Sequence, residues 1–324
     1  MKTPEQLLSI VEKTLGEIAY PVVPPGLYEP ISYTLQGGGK RIRPVLALMC
    51  YNAFCQDVEK VLPAALAIEI YHNHTLLHDD LMDHAEVRRS RPTVHVKWDA
   101  NTAILSGDTM LIMACRFMQQ TDAVRKSEMM DLFIRTMDEI CQGQQYDMNF
   151  ENRADVTETE YIEMIRLKTS VLLGCAAKMG ALCANASEAD AQALYDFAMN
   201  VGLAFQLRDD YLDVYGDPEV FGKAIGGDIR CGKKTFLLIR ALGKMNEEGR
   251  AKMLQTLHDA NLDPDEKVNA IRAIYDELSI DKECQEAIEA FYNKAKENLE
   301  QTSLSAEAKD YLWDFAQTLL NRQK

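Results

Sequence analysis

Two clusters of aspartates lie far apart in the chain, each within sequence that is typical of a helix. They read DDLMD at 79–83 and DDYLD at 209–213. In each cluster the first and last aspartates are four residues apart, close to one helical turn, so they share a face. Stacked carboxylates repel each other unless a cation lies between them, and hard oxygen ligands suit Mg²⁺ bridged to phosphate. Two clusters facing one cavity would hold a diphosphate between metal ions, and the alternative is two solvated acidic patches.

The chain has a formal net charge of −15, so its few clusters of basic residues are informative. The segment GGGKRIRP at 37–44 places three cations after a flexible turn, where backbone N–H groups at a helix start also favour phosphate. A second group, RRSR at 88–91, follows the first acidic cluster. Metal-bound carboxylates need no arginine, whereas a second polyanion beside them does, and guanidinium groups suit phosphate oxygens. Each segment alone is weak evidence, because most basic loops are solvated surface.

Five of the six histidines lie between residues 72 and 95. His74 and His78 would share a helical face, as zinc ligands often do. The pair His78-Asp79 also resembles the metal-dependent His-Asp phosphohydrolases, which are all-helical. That alternative leaves the second acidic cluster and the cations unexplained. Hydrogen-bonded polar lining is the preferred interpretation of His78 and His84.

The composition indicates a helical globular protein. Of 324 residues, 47% are hydrophobic and 26% are charged, helix-favouring types are abundant, and β-branched alternating runs are rare. The predicted helices span 5–20, 27–35, 61–83, 99–120, 124–149, 158–184 and 188–215. A turn at 216–218 and a glycine-rich loop at 222–232 precede a helical tail from 233, with loops near 244–248 and 260–265. Without a long linker or repeat, residues 1–324 are predicted to form one all-α domain.

Several classes of protein do not fit this sequence. The negative charge argues against non-specific nucleic-acid binding. No apolar run reaches the ~18 residues of a membrane span, and the N-terminus has no signal pattern. The eight cysteines form no CxxC pair and are expected to be reduced thiols. We therefore expect a cytoplasmic protein.

Taken in order, the motifs resemble those of the trans-isoprenyl diphosphate synthases, the family of farnesyl and geranylgeranyl diphosphate synthases. The shared elements are Gly-Gly-Lys-Arg-x-Arg-Pro, the first aspartate-rich motif, Arg-Arg, Lys-Thr, Phe-Gln-x-x-Asp-Asp-Tyr-x-Asp, Gly-Lys-x-x-Gly-x-Asp and a final lysine. Two small residues depart from the family pattern: Ser90 stands where glycine is usual, and Ser170 where glycine or alanine is commoner. The resemblance implies a bundle of about ten or more helices around a central cavity.

The resemblance also implies a reaction and a set of roles. The family joins isopentenyl diphosphate to dimethylallyl, geranyl or farnesyl diphosphate, using two or three Mg²⁺ ions, and releases pyrophosphate, which is the usual candidate for the base. The implied metal ligands are Asp79, Asp83 and Asp209, and the residues implied to orient ligands or water are Asp80, Asp210 and Asp213. The residues implied to hold isopentenyl diphosphate are Lys40, Arg43, His72 and Arg89. The residues implied to serve the allylic diphosphate and the cation are Arg88, Lys168, Thr169, Gln206, Lys223 and Lys233.

Two alternatives share this fold. Terpene cyclases usually replace the second aspartate cluster with an asparagine-serine-glutamate motif and lack an isopentenyl site, whereas this chain has Asp209, Lys40 and Arg43. Non-catalytic subunits of heteromeric synthases generally lose one acidic cluster, whereas this chain keeps both.

Product length and assembly are further implications of the resemblance. In the family, the residues four and five positions before the first motif, here Thr75 and His74, form the floor beneath the growing tail. One imidazole over a threonine predicts mainly geranylgeranyl diphosphate, with farnesyl diphosphate as the close second. The family also forms homodimers, and the apolar segments 103–105 and 111–113 are compatible with a dimer interface or with a core.

Overall fold

The computed structural model describes residues 1–217, 225–259 and 261–320, and most of them are helical. The helices are α1 (Pro4–Gly16), α2 (Pro25–Leu35), α3 (Ile42–Asn52), α4 (Leu62–Met82), α5 (Val94–Lys97), α6 (Ala100–Gln120), α7 (Lys126–Glu151), α8 (Glu158–Ile165), α9 (Val171–Cys183), α10 (Glu188–Tyr215), α11 (Gly227–Cys231), α12 (Phe236–Lys244), α13 (Glu247–His258), α14 (Pro264–Glu277), α15 (Ile280–Glu300) and α16 (Ala306–Leu320). A 3₁₀ turn (Val58–Lys60), a π-helical segment (Arg166–Ser170) and one hairpin of β1 (Val87–Arg88) with β2 (Arg91–Pro92) complete the described elements. The predicted all-α class is confirmed. Of the helices in these ranges, none has both the length and the apolar character that crossing a membrane needs.

Local sequence explains where several helices begin. Thr3 caps α1 and accepts from the backbone N–H of Gln6, whose side chain accepts from the backbone of Thr3 in return. Thr157 and Glu160 repeat this reciprocal capping at the start of α8. Each cap satisfies backbone donors that have no partner inside the helix, and is worth roughly 1 kcal/mol.

Some boundaries differ from the prediction. Helix α1 ends at Gly16 rather than near residue 20, because glycine weakens the last turn before the prolines. The predicted helix at 158–184 is divided by the π-helical segment, which carries Lys168 and Thr169. Part of the predicted turn and glycine-rich loop, residues 218–224, lies outside the described residues, and Gly227–Cys231 is a short helix.

The described residues form two compact units. One comprises Met1–Ile134 and Cys175–Tyr195, and the other comprises Arg135–Gly174 and the residues from Asp196 onwards. In the first unit, α3 and α4 are buried over most of their length. The second unit has its own core, in which Tyr161, Phe236 and Tyr275 are fully buried. The assignment of residues 1–324 to a single domain stays a prediction.

Candidate active site

The first aspartate cluster lies at the C-terminal end of α4. Asp79 and Asp80 are in the last turn, and Asp83 is the C-cap residue, whose N–H donates to the carbonyl of Asp79 at 2.8 Å. Arg88 Nε donates to Asp80 Oδ1 at 2.6 Å, and Arg88 Nη2 lies 3.6 Å from Asp79 Oδ2. Asp80 is buried, and burial raises the pKa of its carboxyl although Arg88 opposes this. Asp83 is exposed, so the outer carboxylate of the cluster faces solvent.

In the second cluster, Asp210 is the buried member. It accepts a hydrogen bond from the hydroxyl of Tyr161, and its carboxylate also accepts from Phe236 N–H and Gln206 Nε2, each at 3.3 Å. Burial raises the pKa of Asp210 to about 7. With its oxygens occupied by protein donors, Asp210 ties α10 to α8 and α12.

The outer aspartates of the second cluster, Asp209 and Asp213, stand on the last two turns of α10. Asp213 Oδ2 accepts from the backbone N–H of Asp228 at 3.0 Å. Asp228 Oδ1 lies 3.9 Å from Lys233 Nζ. Asp228 thus contacts both the second cluster and the final lysine of the motif series, and sequence reasoning gave it no role.

The π-helical segment places Lys168 and Thr169. Lys168 Nζ donates to Asp147 Oδ2 at 2.5 Å, and Thr169 Oγ1 donates to Gln206 Oε1 at 3.3 Å. A π turn inserted in an α-helix often marks a functional site. A cavity of about 40 Å³ is lined by Asp147, Tyr161, Met164, Ile165, Lys168, Thr169, Gln206 and Lys233. The second unit therefore places four residues that were predicted to serve the allylic substrate around one cavity: Lys168, Thr169, Gln206 and Lys233. Lys223, which was predicted to serve the same substrate, lies outside the described residues.

In the first unit, Arg43 and His72 form a close pair. Arg43 Nη1 lies 3.1 Å from His72 Nε2. Burial and the charge of Arg43 hold the pKa of His72 well below its ordinary value, so a neutral imidazole can accept this hydrogen bond. Burial also lowers the pKa of Arg43 to about 10. Arg43 Nε is buried and makes no hydrogen bond within the described part of the chain.

Arg89 contacts the glycine turn that precedes Lys40. Its Nη1 donates to the carbonyl of Gly38, and a Cβ on Gly39 would lie only 2.8 Å from Arg89 Cζ. Gly39 also has φ +132°, a conformation that L side chains rarely adopt. The φ angle favours glycine at position 39, and the absence of a side chain lets the Arg89 guanidinium approach the backbone. The structure thus brings Arg89 to the loop that carries Lys40.

Arg41 has a different place from its neighbours in the basic segment. It is buried, with Nε 2.7 Å from Glu12 Oε1, Nη1 2.7 Å from Glu69 Oε1 and Nη2 donating to the carbonyl of Leu35 at 2.6 Å. Asn73 Nδ2 also donates to Glu69 Oε1 at 2.8 Å. Arg41 is therefore an internal anchor of the loop. The signal that could have revealed it is Glu69, a carboxylate within the apolar run of α4.

His74 faces α6 within the first unit. Its Nδ1 lies 2.9 Å from the carbonyl of Gly107, and its ring packs edge-on against His78 at 4.6 Å between centroids. Burial and His78 lower the pKa of His74 to about 4. His78 Nε2 lies 3.3 Å from the carbonyl of Ile104, and Thr75 donates to the backbone of its own helix. The contact of His78 with the carbonyl of Ile104 agrees with the interpretation of His78 as a hydrogen-bonded polar lining residue.

The aspartate pairs fit a hydrated divalent cation. Among the described residues no three His, Cys, Asp or Glu side chains form a metal-ligating group. Each cluster instead offers two outer carboxylates one turn apart, and those of the first cluster lie at the C-terminal end of α4, where the backbone dipole is negative. Carboxylates there are unfavourable without a cation. Mg²⁺ suits such a site, because it keeps several waters and takes only one or two carboxylates beside substrate phosphates.

The chain is similar in sequence and in fold to proteins of one known family. The polyprenyl synthetase family profile matches residues 24–277. A geranylgeranyl diphosphate synthase of Methanosarcina mazei is 43% identical over 238 residues, or 73% of this chain and 74% of that protein. A geranylgeranyl pyrophosphate synthase of Geoglobus acetivorans is 37% identical over 315 residues, or 97% and 96%. A crystal structure of a geranylgeranyl pyrophosphate synthase has a TM-score of 0.94 at 42% identity and covers 100% of both chains.

The fold is all-α, and the family and relatives that the chain matches make it a prenyltransferase. The match to the family profile covers more than half of the chain, and the two relatives exceed 30% identity over most of it. The chain belongs to the polyprenyl synthetase family.

Proposed function

We propose that this enzyme condenses isopentenyl diphosphate with an allylic diphosphate and that its main product is geranylgeranyl diphosphate. The observation that carries the proposal is the presence of two aspartate pairs at helix ends together with two distinct sets of cations. Relatives named as geranylgeranyl diphosphate synthases support this product. A terpene cyclase would have no use for the Arg43–His72 pair, and a non-catalytic subunit would have no use for two intact acidic clusters.

The metal-assisted part of the proposal rests on Asp79, Asp83 and Asp209. These carboxylates would hold Mg²⁺, which when bound supplies positive charge to the departing pyrophosphate. Lys168 adds a fixed cation that the ion pair with Asp147 already orients. A preorganised charge of this kind stabilises the ionising substrate without reorganisation at the moment of reaction. Arg88 and Lys233 are assigned to the same diphosphate.

Isopentenyl diphosphate is proposed to bind without metal, through Lys40, Arg43, His72 and Arg89. The buried Nε of Arg43 supports this assignment. A buried donor without an acceptor costs about 1–3 kcal/mol, and a phosphate oxygen would remove that cost. Neutral His72 fixes the Arg43 side chain without adding a charge of its own. These two observations support the assignment of the Arg43–His72 pair to a second polyanion.

We also propose that the protein forms a homodimer through α6. Ile104, Leu105 and Ile112 are 44%, 59% and 60% exposed. They recur along one helix at spacings of one and seven residues, which leaves an apolar stripe on its surface. A second copy of the chain is the proposed partner of this stripe. The unaltered protein should have the mass of a dimer in solution, and Leu105→Asp should shift it towards the mass of a monomer.

Pyrophosphate release tests the proposed function and separates the alternatives. The synthase should release pyrophosphate rapidly only when an allylic diphosphate and isopentenyl diphosphate are both present. A cyclase would release it from the allylic substrate alone, and a non-catalytic subunit would release none. Chromatography of the dephosphorylated product against chain-length standards should show mainly the twenty-carbon alcohol.

The two cation sets predict different kinetic defects. Arg43→Ala and Arg89→Ala should mainly raise KM for isopentenyl diphosphate, by roughly ten-fold or more, because each removes a charged hydrogen-bond donor. Lys168→Ala and Lys233→Ala should instead impair use of the allylic substrate, because they serve its leaving group. Steady-state kinetics with each substrate varied in turn measures both effects. The same defect for both substrates in all four variants would contradict the partition.

Product length should respond to the side chain at position 74. His74→Ala removes the proposed floor and should lengthen the product, whereas His74→Phe should keep or shorten it. Positions 74 and 75 lie roughly 6–7.5 Å along the helix from Asp79, at ~1.5 Å per residue. Product chromatography measures the change. If His74→Ala left the product length unchanged, the floor would belong to other residues, such as Met110 or Met113 on α6.

A further inference from the structure

The arginine pair Arg88-Arg89 is carried by a hairpin with an unfavourable turn. Strands β1 and β2 pair Arg88 with Arg91, so the connection consists of Arg89 and Ser90 alone. Their φ angles are +51° and +59°. Two-residue hairpin loops of this kind need positive φ at both positions, which glycine adopts readily and other residues resist. The turn therefore needs support from outside the hairpin.

Tyr33 on α2 supplies that support from several directions. Its hydroxyl donates to the carbonyl of Pro92 at 2.9 Å, and its own carbonyl accepts from Arg91 Nη1 at 3.3 Å. Arg91 Cζ lies 3.8 Å from the centre of the Tyr33 ring. Lys97 Nζ lies 3.9 Å from the same ring centre. Both cations are attracted by the ring face, so Tyr33 fixes the strand that follows the turn.

The two arginines of the pair depend on this support to different degrees. Arg88 is held independently, since its Nε donates to Asp80 at 2.6 Å. Arg89 sits inside the turn with positive φ, and its Nη1 donates a hydrogen bond to the carbonyl of Gly38. A turn that relaxed would move Arg89 while the ion pair with Asp80 kept Arg88 in place. Support from Tyr33 should therefore matter mainly to Arg89.

We propose that Tyr33, acting with Arg91, is a positioning residue that holds Arg89 ready for the diphosphate of isopentenyl diphosphate. Neither Tyr33 nor Arg91 needs to contact substrate in this role. The inference rests on the proposed function in assigning Arg89 to isopentenyl diphosphate. It adds α2 and the Arg91 side chain to the parts of the molecule that determine use of this substrate.

Kinetics and direct binding test the proposal together. Tyr33→Leu and Arg91→Gln should each raise KM for isopentenyl diphosphate about ten-fold, with kcat and KM for the allylic substrate changed less than about two-fold. Tyr33→Phe keeps the ring beneath the cations and should stay within about three-fold of the original KM. Tyr28→Leu, a half-buried tyrosine on the same helix, is the matched control and should leave all three constants unchanged. Calorimetry with isopentenyl diphosphate alone should show the same order of affinities.

A second-site rescue separates positioning from general stability. In the Tyr33→Leu background, Ser90→Gly makes positive φ inexpensive and should restore most of the lost affinity for isopentenyl diphosphate. An unchanged KM in Tyr33→Leu would overturn the proposal. So would equal defects for both substrates with a lowered Tm and no rescue by Ser90→Gly.

Failure of the proposed function gives a different pattern. If the unaltered enzyme formed no product yet bound isopentenyl diphosphate, and Tyr33→Leu weakened that binding with rescue by Ser90→Gly, the positioning role would stand without the synthase activity. If the unaltered enzyme did not bind isopentenyl diphosphate at all, both proposals would be overturned.

Discussion

Asp79→Ala and Asp209→Ala are each expected to lower kcat by about 10²–10³, the scale of losing one preorganised charge stabiliser. Asp79 lies in the last turn of α4, where the backbone dipole already carries negative charge, and Asp209 lies one turn before Asp213 on α10. Carboxylates repel an anionic diphosphate, so a site built from aspartates can bind this substrate only through cations that they hold. Activity should accordingly vanish in excess chelator and return when Mg²⁺ is added. Steady-state turnover at saturating substrate measures both effects.

Two controls distinguish loss of metal from loss of fold. Asp310→Ala removes an exposed aspartate from α16 and should leave kcat unchanged. The Tm of metal-free Asp79→Ala and Asp209→Ala should not fall by more than a few degrees. Removing Asp79 from the last turn of α4 relieves about 0.3–1 kcal/mol of unfavourable dipole interaction, and removing Asp209 relieves its repulsion by Asp213 one turn away. Full turnover in excess chelator would contradict the assignment of these residues as metal ligands.

The aspartate clusters could be predicted because their geometry is local. A spacing of four residues on a helix determines that Asp79 and Asp83 share a face, whatever the rest of the chain does. The structure keeps this relation even though Asp83 has become the C-cap residue. The all-α class was predictable for a similar reason, since it follows from residue types summed over long windows. Assignment of Lys168, Thr169 and Gln206 to one substrate needed the family resemblance.

Arg41 shows what its own basic segment could not reveal. Its neighbours Lys40 and Arg43 carry the same charge, and nothing within the segment distinguishes the three. Its partners Glu12 and Glu69 lie in other helices, and only folding brings them within 2.7 Å. Whether a basic residue anchors a loop or binds a ligand depends on the residues that folding brings into contact with it. The short hairpin at 87–92 escaped prediction likewise, because two-residue strands and a turn without glycine carry almost no local signal.

The π-helical segment is a third case, and neighbouring helices pack closely against its backbone. Position 143 on α7 lies directly against the segment: a Cβ there would overlap the backbone nitrogen of Lys168 and lie 2.7 Å from Leu167 C. A Cβ at Gly202 on α10 would lie 2.9 Å from Ser170 Cα. These two glycines let neighbouring helices reach the backbone of the segment. No pattern of apolar residues in 158–184 could reveal contacts that glycines on other helices make possible.

Gly143→Ala is therefore expected to lower both stability and activity. Helix propensity alone would favour alanine by about 1 kcal/mol. Overpacking typically costs 1–3 kcal/mol, and here the overlap is with backbone, which cannot move away by a change of rotamer. The steric cost should win, and the free energy of unfolding should fall by up to about 2 kcal/mol in urea titrations.

The effect on turnover should be larger than the effect on stability. A shift of the π-helical segment moves Lys168 relative to Asp147, now 2.5 Å away, and a displacement of about 1 Å at a charge-stabilising group can cost 10²-fold in rate. We expect kcat to fall by about that factor in protein that is still folded at the assay temperature. Gly243→Ala is the matched control: it is also a helical glycine of the second unit, but its Cβ would meet nothing within 4 Å. That variant should retain full turnover and be as stable or slightly more stable, by up to about 1 kcal/mol. If Gly143→Ala behaved like Gly243→Ala, close packing of α7 against the segment would not be what positions Lys168.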